Sequence, residues 1–302
     1  MKAKLWITVI FLCLTGIIYG KASSNDAPKT YADIAYDKHE RTVLDFWQAA
    51  GEGPRPLLVV IHGGGWLGGD KSRFSGTDHY LKNGISIAAI SYRLAKTDPL
   101  PTPVHDAARA VQFLRYKAKE WNIDKSRIVL SGDSAGGCSV LWIACHDDIA
   151  NPNSDDPVER ESSRVFAAAG AGAQVSIEPK LMESWVGPFA HHGMISGAVG
   201  EPSMKDALDN YSKHEPIFKE FSPINHLTKD DPPIFLAYNG DLTVPAISYG
   251  HAIHHGLFGV KFKEKSEAIG HSRVYLSAGE KYKSKQYFGP RDFIVKILLE
   301  NK

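Results

Sequence analysis

The segment GDSAG, from Gly132 to Gly136, fits the pattern Gly-x-Ser-x-Gly. Only small residues fit beside a serine on so tight a turn, and the turn exposes the hydroxyl for attack on an acyl carbon. The motif is weak by itself, because glycine and serine are common residues. Ser134 is therefore a candidate nucleophile that needs a base and donors for negative charge around it.

A second glycine-rich segment, HGGGW, begins upstream at His62. Its glycines let backbone N–H groups approach a developing oxyanion, and the N–H of Ala135 points into the same space. We interpret His62 as a structural brace for this glycine loop and not as a reacting group.

Alternating strand-like and helix-like segments must position these residues. PLLVVIHGGG and GISIAAISYRL are short apolar runs typical of strands buried on both faces. The segment from Thr102 has apolar residues at helical spacing, and SRIVLSGDSAGGCSVLWIAC predicts a strand, a sharp turn and a helix. This alternation predicts an α/β fold with a mostly parallel central sheet and helices on both faces, whose active residues gather at the carboxyl ends of the strands.

The segments IHGGGW, SYRL, DAARAVQFLR, SRIVLSGDSAGG and YNGDLTVP, in this order, resemble the hormone-sensitive-lipase-like and bacterial acetyl-esterase branch of the α/β-hydrolase superfamily. The resemblance extends from Tyr31 to Asn301. It implies the α/β-hydrolase fold and a serine carboxylic-ester hydrolase that forms an acyl-enzyme without a cofactor. It also assigns Ser134 as the nucleophile, with Gly63, Gly64 and Ala135 as oxyanion-hole donors.

Asp241 is the candidate acid of a catalytic triad. It follows the apolar strand predicted at Ile234 to Tyr238, which matches the acid loop of the family. A carboxylate at that strand end would fix the tautomer of an imidazole and balance its positive charge. The alternative is a plain Asn-Gly-Asp turn.

The catalytic histidine is absent from the loop where the family carries it, because SAGEKYKSKQYFG contains none. His271 precedes the last strand, predicted at residues 272–277, and would lie about 20 Å from the edge that holds Ser134. His254 and His255 follow Asp241 in a helix, predicted from about His254 to Ala268, that starts on the active side of the sheet. We select His255 as the base, with His254 and His271 as rivals.

Two alternatives remain open for these histidines. His251, His254 and His255 have the spacing that would let a metal bind on one helical face, but no acidic ligand is obvious beside them. We therefore predict no metal and no cofactor. The second alternative is a degenerate hydrolase that retains a binding pocket with little or no turnover, because its family histidine is missing.

The amino-terminal residues predict export. Lys2 and Lys4 precede an apolar run, and small residues follow it before a cleavage point after Ala22, so residues 1–22 are typical of a signal peptide. A membrane anchor is the alternative. The expected mature chain is one α/β-hydrolase domain, residues 27–302, with a lid-like insertion at about 178–231, in the periplasm or outside the cell. Cys138 and Cys145 are too far apart on one helix to form a disulfide.

The charge of the chain points away from polyanionic partners. Its 35 lysines and arginines nearly balance 34 acidic residues, so we expect neither nucleic-acid binding nor stable membrane association after signal removal. The expected substrate is a small-molecule or saccharide ester with a short acyl group; acetylated carbohydrate rests on family analogy alone. The candidates for pocket lining in the insertion are Trp185, Phe189, Met194 and Phe218.

Overall fold

The computed structural model describes residues 26–300, so the predicted signal peptide lies outside the described residues. One eight-stranded sheet runs through them in the order β1-β2-β4-β3-β5-β6-β7-β8. The strands are β1 (Tyr31–Ala35), β2 (Val43–Trp47), β3 (Arg55–Ile61), β4 (Ser86–Ile90), β5 (Ile123–Asp133), β6 (Ala167–Ala171), β7 (Ile234–Tyr238) and β8 (Val274–Ala278). β2 pairs antiparallel with β1 and β4, and the other neighbours pair in parallel. This arrangement confirms the predicted α/β fold class.

Helices flank the sheet and supply its covering layers. They are α1 (Thr77–Leu81), α2 (Thr102–Tyr116), α3 (Ser134–Cys145), α4 (Pro179–Val186), α5 (Gly193–Ala198), α6 (Met204–Asp209), α7 (Tyr211–Glu220), α8 (Tyr249–Ile253), α9 (Leu257–Ala268) and α10 (Pro290–Leu299). Short 3₁₀ helices occupy Lys71–Arg73, Pro188–Ala190 and Pro223–Asn225. Within residues 26–300, no helix combines the length and apolar character needed to cross a membrane.

Both faces of the central strands are buried. In β3, Leu57 and Val59 belong to the apolar cluster on one face, and Leu58 and Val60 belong to the cluster on the other. Side chains alternate between the faces of a strand, so a strand covered on both sides reads as a continuous apolar run. The run PLLVVI is explained by this double burial.

The structure differs from the sequence prediction around the histidine-rich segment. The helix expected from His254 to Ala268 begins only at Leu257, as α9, and a separate short helix, α8, precedes it, so His254 and His255 lie in the break between the two. The Ser248 hydroxyl accepts the N–H of His251, which starts α8 earlier in the chain, and α8 ends before His254. The predicted helix end is confirmed, since Gly270 has a φ of 81° just after α9.

Candidate active site

Ser134 lies on the sharp turn between β5 and α3, with a φ of +49° in the left-handed region. A Cβ on Gly136 would lie 2.3 Å from the carbonyl oxygen of Ile61 at the end of β3, and one on Gly132 would lie 2.6 Å from the carbonyl oxygen of Gly136. Both glycines of the motif are therefore required by close backbone approach. The strand, turn and helix predicted around Ser134 are confirmed.

The imidazole of His254 contacts the Ser134 hydroxyl. Its Nε2 lies 2.9 Å from Oγ of Ser134, and its Nδ1 lies 3.1 Å from the carbonyl oxygen of Gly250. A carbonyl oxygen can only accept a hydrogen bond, so Nδ1 of His254 carries the proton and Nε2 presents a lone pair. The serine hydroxyl donates to that lone pair, which is the arrangement a general base requires.

A glycine that the sequence analysis missed leaves room for the His254 ring beside Ser134. Gly172 follows β6 directly, has a φ of +52°, and lies where a Cβ would be 3.2 Å from Cδ2 of His254. Because β6 pairs with β5, the end of β6 lies beside the nucleophile turn. The only sequence signal was a glycine after a strand rich in small residues.

The surroundings of His254 favour its neutral form. Burial lowers the pKa of His254, while the Gly250 carbonyl and the negative charge of Asp133 raise this pKa in part. The imidazole is therefore unprotonated at neutral pH and able to accept a proton.

His255, our selected base, does not contact Ser134. Its Nε2–H donates to the carbonyl oxygen of Thr243 at 3.0 Å, and its Nδ1 accepts the N–H of Leu257 at 3.1 Å. The side chain is buried with both ring nitrogens engaged in these bonds. The expectation that His255 faces the nucleophile is wrong, and the rival His254 has that position.

His271 lies where the sequence analysis placed it, before β8 and at the amino-terminal end of that strand. It is buried, and its Nδ1 lies 3.4 Å from the backbone N–H of Arg273. Ser134 follows the carboxyl end of strand β5, and β5 and β8 run in the same direction. The two residues therefore lie at opposite ends of the parallel strands.

Asp241 follows β7 as expected, but its carboxylate contacts a different histidine. Its Oδ1 accepts the N–H of Thr243 at 3.0 Å, which lowers the pKa of Asp241, and its Oδ2 lies 3.7 Å from Nε2 of His251. The Nδ1–H of His254 instead donates its orienting hydrogen bond to the carbonyl oxygen of Gly250. The triad contact expected of Asp241 is therefore wrong in this structure, because α8 turns His251 toward the carboxylate and leaves His254 facing Ser134.

Of the three expected oxyanion donors, Gly63 has its N–H engaged by a side chain, and Gly64 and Ala135 remain candidates. The N–H of Gly63 donates to Oδ1 of Asp133 at 3.0 Å, so the assignment of Gly63 as an oxyanion donor is contradicted by this bond. Gly64 has a φ of +110°, and a Cβ there would lie 2.3 Å from the carbonyl oxygen of Gly68. Ala135 is buried in the first turn of α3, where backbone N–H groups lack partners within the helix.

Two buried side chains brace the glycine loop. Trp66 donates from Nε1 to Oγ of Ser139 at 3.0 Å, and that hydroxyl donates to the carbonyl oxygen of Ala135 at 3.0 Å. His62 stacks on Tyr92 at 4.2 Å between ring centroids. Burial lowers the pKa of His62 to about 4, so it is neutral at pH 7. These contacts hold the loop against the start of α3.

The four residues suggested as pocket lining have different positions. Met194 approaches the glycine loop, since a Cβ on Gly65 would lie 3.3 Å from its Cγ. Phe189 is 36% exposed and meets Tyr249 edge-to-face at 5.1 Å. Trp185 packs against the core. Phe218 is completely buried, so its proposed pocket role is wrong.

A comparison with known protein families identifies the family of this chain. The sequence matches the BD-FAE family over residues 44–248. The chain belongs to the BD-FAE family. Its membership agrees with the esterase branch of the α/β-hydrolase superfamily, to which the sequence motifs pointed.

Curated relatives of this BD-FAE chain include "Carboxylesterase NlhH" of Mycobacterium tuberculosis, 35% identical over 110 residues, which are 35% of this chain and 34% of that protein. "Probable isoprenylcysteine alpha-carbonyl methylesterase ICMEL1" of Arabidopsis thaliana is 28% identical over 245 residues, which are 78% of this chain and 49% of that protein. The chain thus spans less than two thirds of the length of these relatives.

Two solved structures share the fold. The structure of an "acetyl ester-xyloside bifunctional hydrolase" from Caldicellulosiruptor lactoaceticus aligns with a TM-score of 0.61 at 25% identity. The alignment covers 78% of this chain and 75% of that protein's chain. A "carbohydrate esterase from gut microbiota", in truncated form, has a TM-score of 0.67 at 20% identity and covers 85% of this chain and 89% of its own.

Proposed function

We propose that the protein is a serine carboxylesterase whose nucleophile is Ser134 and whose base is His254. The observation that carries the proposal is the 2.9 Å contact between Oγ of Ser134 and Nε2 of His254. The Nδ1–H of His254 is held by a carbonyl oxygen, so the nitrogen that faces the serine is the basic one. Relatives named as carboxylesterases support the same reaction class.

The reaction proceeds in two acyl transfers. Oγ of Ser134 attacks the acyl carbon while its proton passes to Nε2 of His254, and the oxyanion accepts hydrogen bonds from the N–H groups of Gly64 and Ala135. The intermediate collapses, and the alcohol leaves with the proton from His254. A water molecule then attacks the acyl-enzyme with His254 as base, which releases the acid and restores the serine hydroxyl.

The proposed site uses a backbone carbonyl where a triad uses a carboxylate. Gly250 sets the tautomer of His254, but a neutral carbonyl balances the imidazolium charge less well than an acid would. The negative charge of Asp133 raises the pKa of His254 and supplies part of that balance. The absence of a carboxylate on His254 Nδ1 also favours the second candidate, a degenerate hydrolase with a retained pocket and slow turnover.

For the substrate, we propose short acyl esters, with acetylated carbohydrate as the first class to test. Support comes from the solved relatives named as a carbohydrate esterase and an acetyl ester-xyloside hydrolase. Phe189 of the insertion and Tyr249 at the start of α8 form an exposed ring pair, an apolar edge of the kind that packs against a sugar face. Residues 1–22 support secretion or export to the periplasm.

A fluorophosphonate tests the proposed nucleophile directly. We expect the probe to modify one serine stoichiometrically, and peptide mass spectrometry to locate the label on Ser134, because only a serine with a working base reacts fast. Hydrolysis of 4-nitrophenyl acetate should disappear in step with labelling. Fast labelling at another serine would contradict Ser134 as the nucleophile. No labelling together with no turnover would contradict the esterase and leave the degenerate hydrolase.

Asp241→Asn is expected to keep more than about a third of the wild-type kcat/KM on the same ester. Its carboxylate contacts Thr243 and His251 and does not reach His254, whereas loss of a true triad acid costs about 10,000-fold. Steady-state kinetics at neutral pH measures the ratio, with the thermal midpoint as a check on folding. A loss above about 100-fold would show that this loop delivers Asp241 to the catalytic histidine during turnover.

A further inference from the structure

Three potential metal ligands meet at the end of α3 opposite Ser134. His146 immediately follows α3, Glu220 ends α7, and His226 follows the 3₁₀ helix Pro223–Asn225. One ligand atom from each lies within 4.8 Å of the other two, and all three side chains are half-buried. Among residues 26–300, this is the one group of three such ligands that close.

The separations in this cluster suit a small divalent ion. Nε2 of His146 lies 3.2 Å from Oε1 of Glu220, and Nε2 of His226 lies 3.7 Å from the same oxygen. A tetrahedral zinc ion with bonds of about 2.1 Å holds its ligand atoms about 3.4 Å apart. Small side-chain movements would bring all three atoms to bonding distance.

The hydrogen bonds of His146 leave its Nε2 available to a metal. Its Nδ1–H donates to the carbonyl oxygen of Asp147 at 2.9 Å, so Nε2 carries a lone pair whenever the ring is uncharged. That lone pair faces the Glu220 carboxylate, and two acceptors at this separation require a cation or a proton between them. The ring also stacks on Trp142 at 4.1 Å, which limits its rotation. When a histidine binds a metal through one ring nitrogen, the N–H of the other ring nitrogen commonly donates a hydrogen bond to a carbonyl oxygen, as Nδ1–H does here.

His226 can change partner without leaving a buried group unpaired. Its Nε2–H donates to the backbone carbonyl of Glu220 at 2.5 Å. The same carbonyl also accepts Nε1–H of Trp142 at 3.0 Å. If the ring proton of His226 moves through solvent from Nε2 to Nδ1 and Nε2 turns to an ion, the ring stays neutral and the carbonyl keeps the Trp142 donor.

We propose that His146, Glu220 and His226 bind a divalent ion of borderline softness such as Zn²⁺, with water in the fourth position. Two imidazoles and one carboxylate match zinc, whereas Ca²⁺ and Mg²⁺ prefer oxygen ligands. The ion would tie the end of α3, the helix that begins at Ser134, to the end of the insertion at residues 178–231. This proposal departs from the sequence-based expectation of no metal.

Calorimetric titration of the tag-free, chelator-dialysed protein with Zn²⁺ tests the site. We expect one equivalent to bind, and Glu220→Gln to weaken binding at least about 10-fold, since it replaces a charged ligand with a poor one. Glu183→Gln is the matched control, because Glu183 lies 3.2 Å from Nε2 of His191 but belongs to no group of three ligands among the described residues. Its titration should equal that of the wild type.

His146→Phe provides a second variant that keeps an aromatic ring against Trp142. We expect Zn²⁺ to raise the thermal midpoint of the wild type and of Glu183→Gln but not of Glu220→Gln or His146→Phe. Absence of saturable binding to the wild type would overturn the proposal. So would binding that survives both Glu220→Gln and His146→Phe, which would indicate another site such as His251, His254 and His255.

Discussion

His254→Ala is expected to lower kcat/KM for a short-chain aryl ester by about 1,000-fold or more. The variant leaves Ser134 without the nitrogen that lies 2.9 Å from its hydroxyl. The neighbouring histidines cannot take over, because both nitrogens of His255 bond to Thr243 and Leu257, and His251 faces Asp241. Steady-state kinetics on purified variants of matched thermal stability gives the ratio.

His271→Ala is the control for the loss of an imidazole. His271 lies at the opposite end of the parallel strands from Ser134. We therefore expect its variant to keep more than about a tenth of the wild-type rate, because reduced stability alone would lower the rate by no more than that. Loss of activity at His271 but not at His254 would refute the assigned base. Loss at neither would point to a base outside the three histidines that the sequence suggested.

The pH profile of the wild type tests the same base independently. Burial lowers the pKa of His254, and a base works only when it is unprotonated. We therefore expect kcat/KM to be constant at neutral pH and to fall only below about pH 6.5, the ordinary histidine value. His254→Ala should lose this acidic limb from its residual rate. A limb centred above pH 7 would contradict the buried, neutral imidazole.

Ser134→Ala is expected to lower the rate of ester hydrolysis by about 10,000-fold or more. The substitution removes the hydroxyl that forms the acyl-enzyme and leaves the turn geometry to the same glycines. The alanine side chain is no larger than that of serine, so the substitution adds no steric strain at the φ of +49°. The folded state should therefore persist, with a thermal midpoint within a few degrees of the wild type.

Ser131→Ala is the matched control, because it makes the same change three residues earlier on β5. We expect that variant to hydrolyse the ester at a rate close to the wild type and to be labelled by the fluorophosphonate. Ser134→Ala should show no label. Residual turnover in Ser134→Ala above about a tenth of the wild type would refute nucleophilic catalysis by this serine.

The sequence alone determined the features that depend on short-range sterics and on burial pattern. Gly132 and Gly136 are needed because backbone approaches them closely, so the turn around Ser134 could be recognised from these glycines together with the strand-like segment before them and the helix-like segment after them. Continuous apolar runs predicted the doubly covered strands, because helices on both faces exclude polar side chains. The positions of Asp241 after β7 and of His271 before β8 followed from strand order in the same way.

Only the tertiary structure decided which groups face one another. His254 and His255 are adjacent and both lie in the break between α8 and α9, so the path of the backbone through this break selects the imidazole that reaches Ser134. The engagement of the Gly63 N–H depends on a carboxylate from another strand. Such contacts join segments far apart in the chain, and their angstrom-scale distances depend on packing that no local pattern encodes.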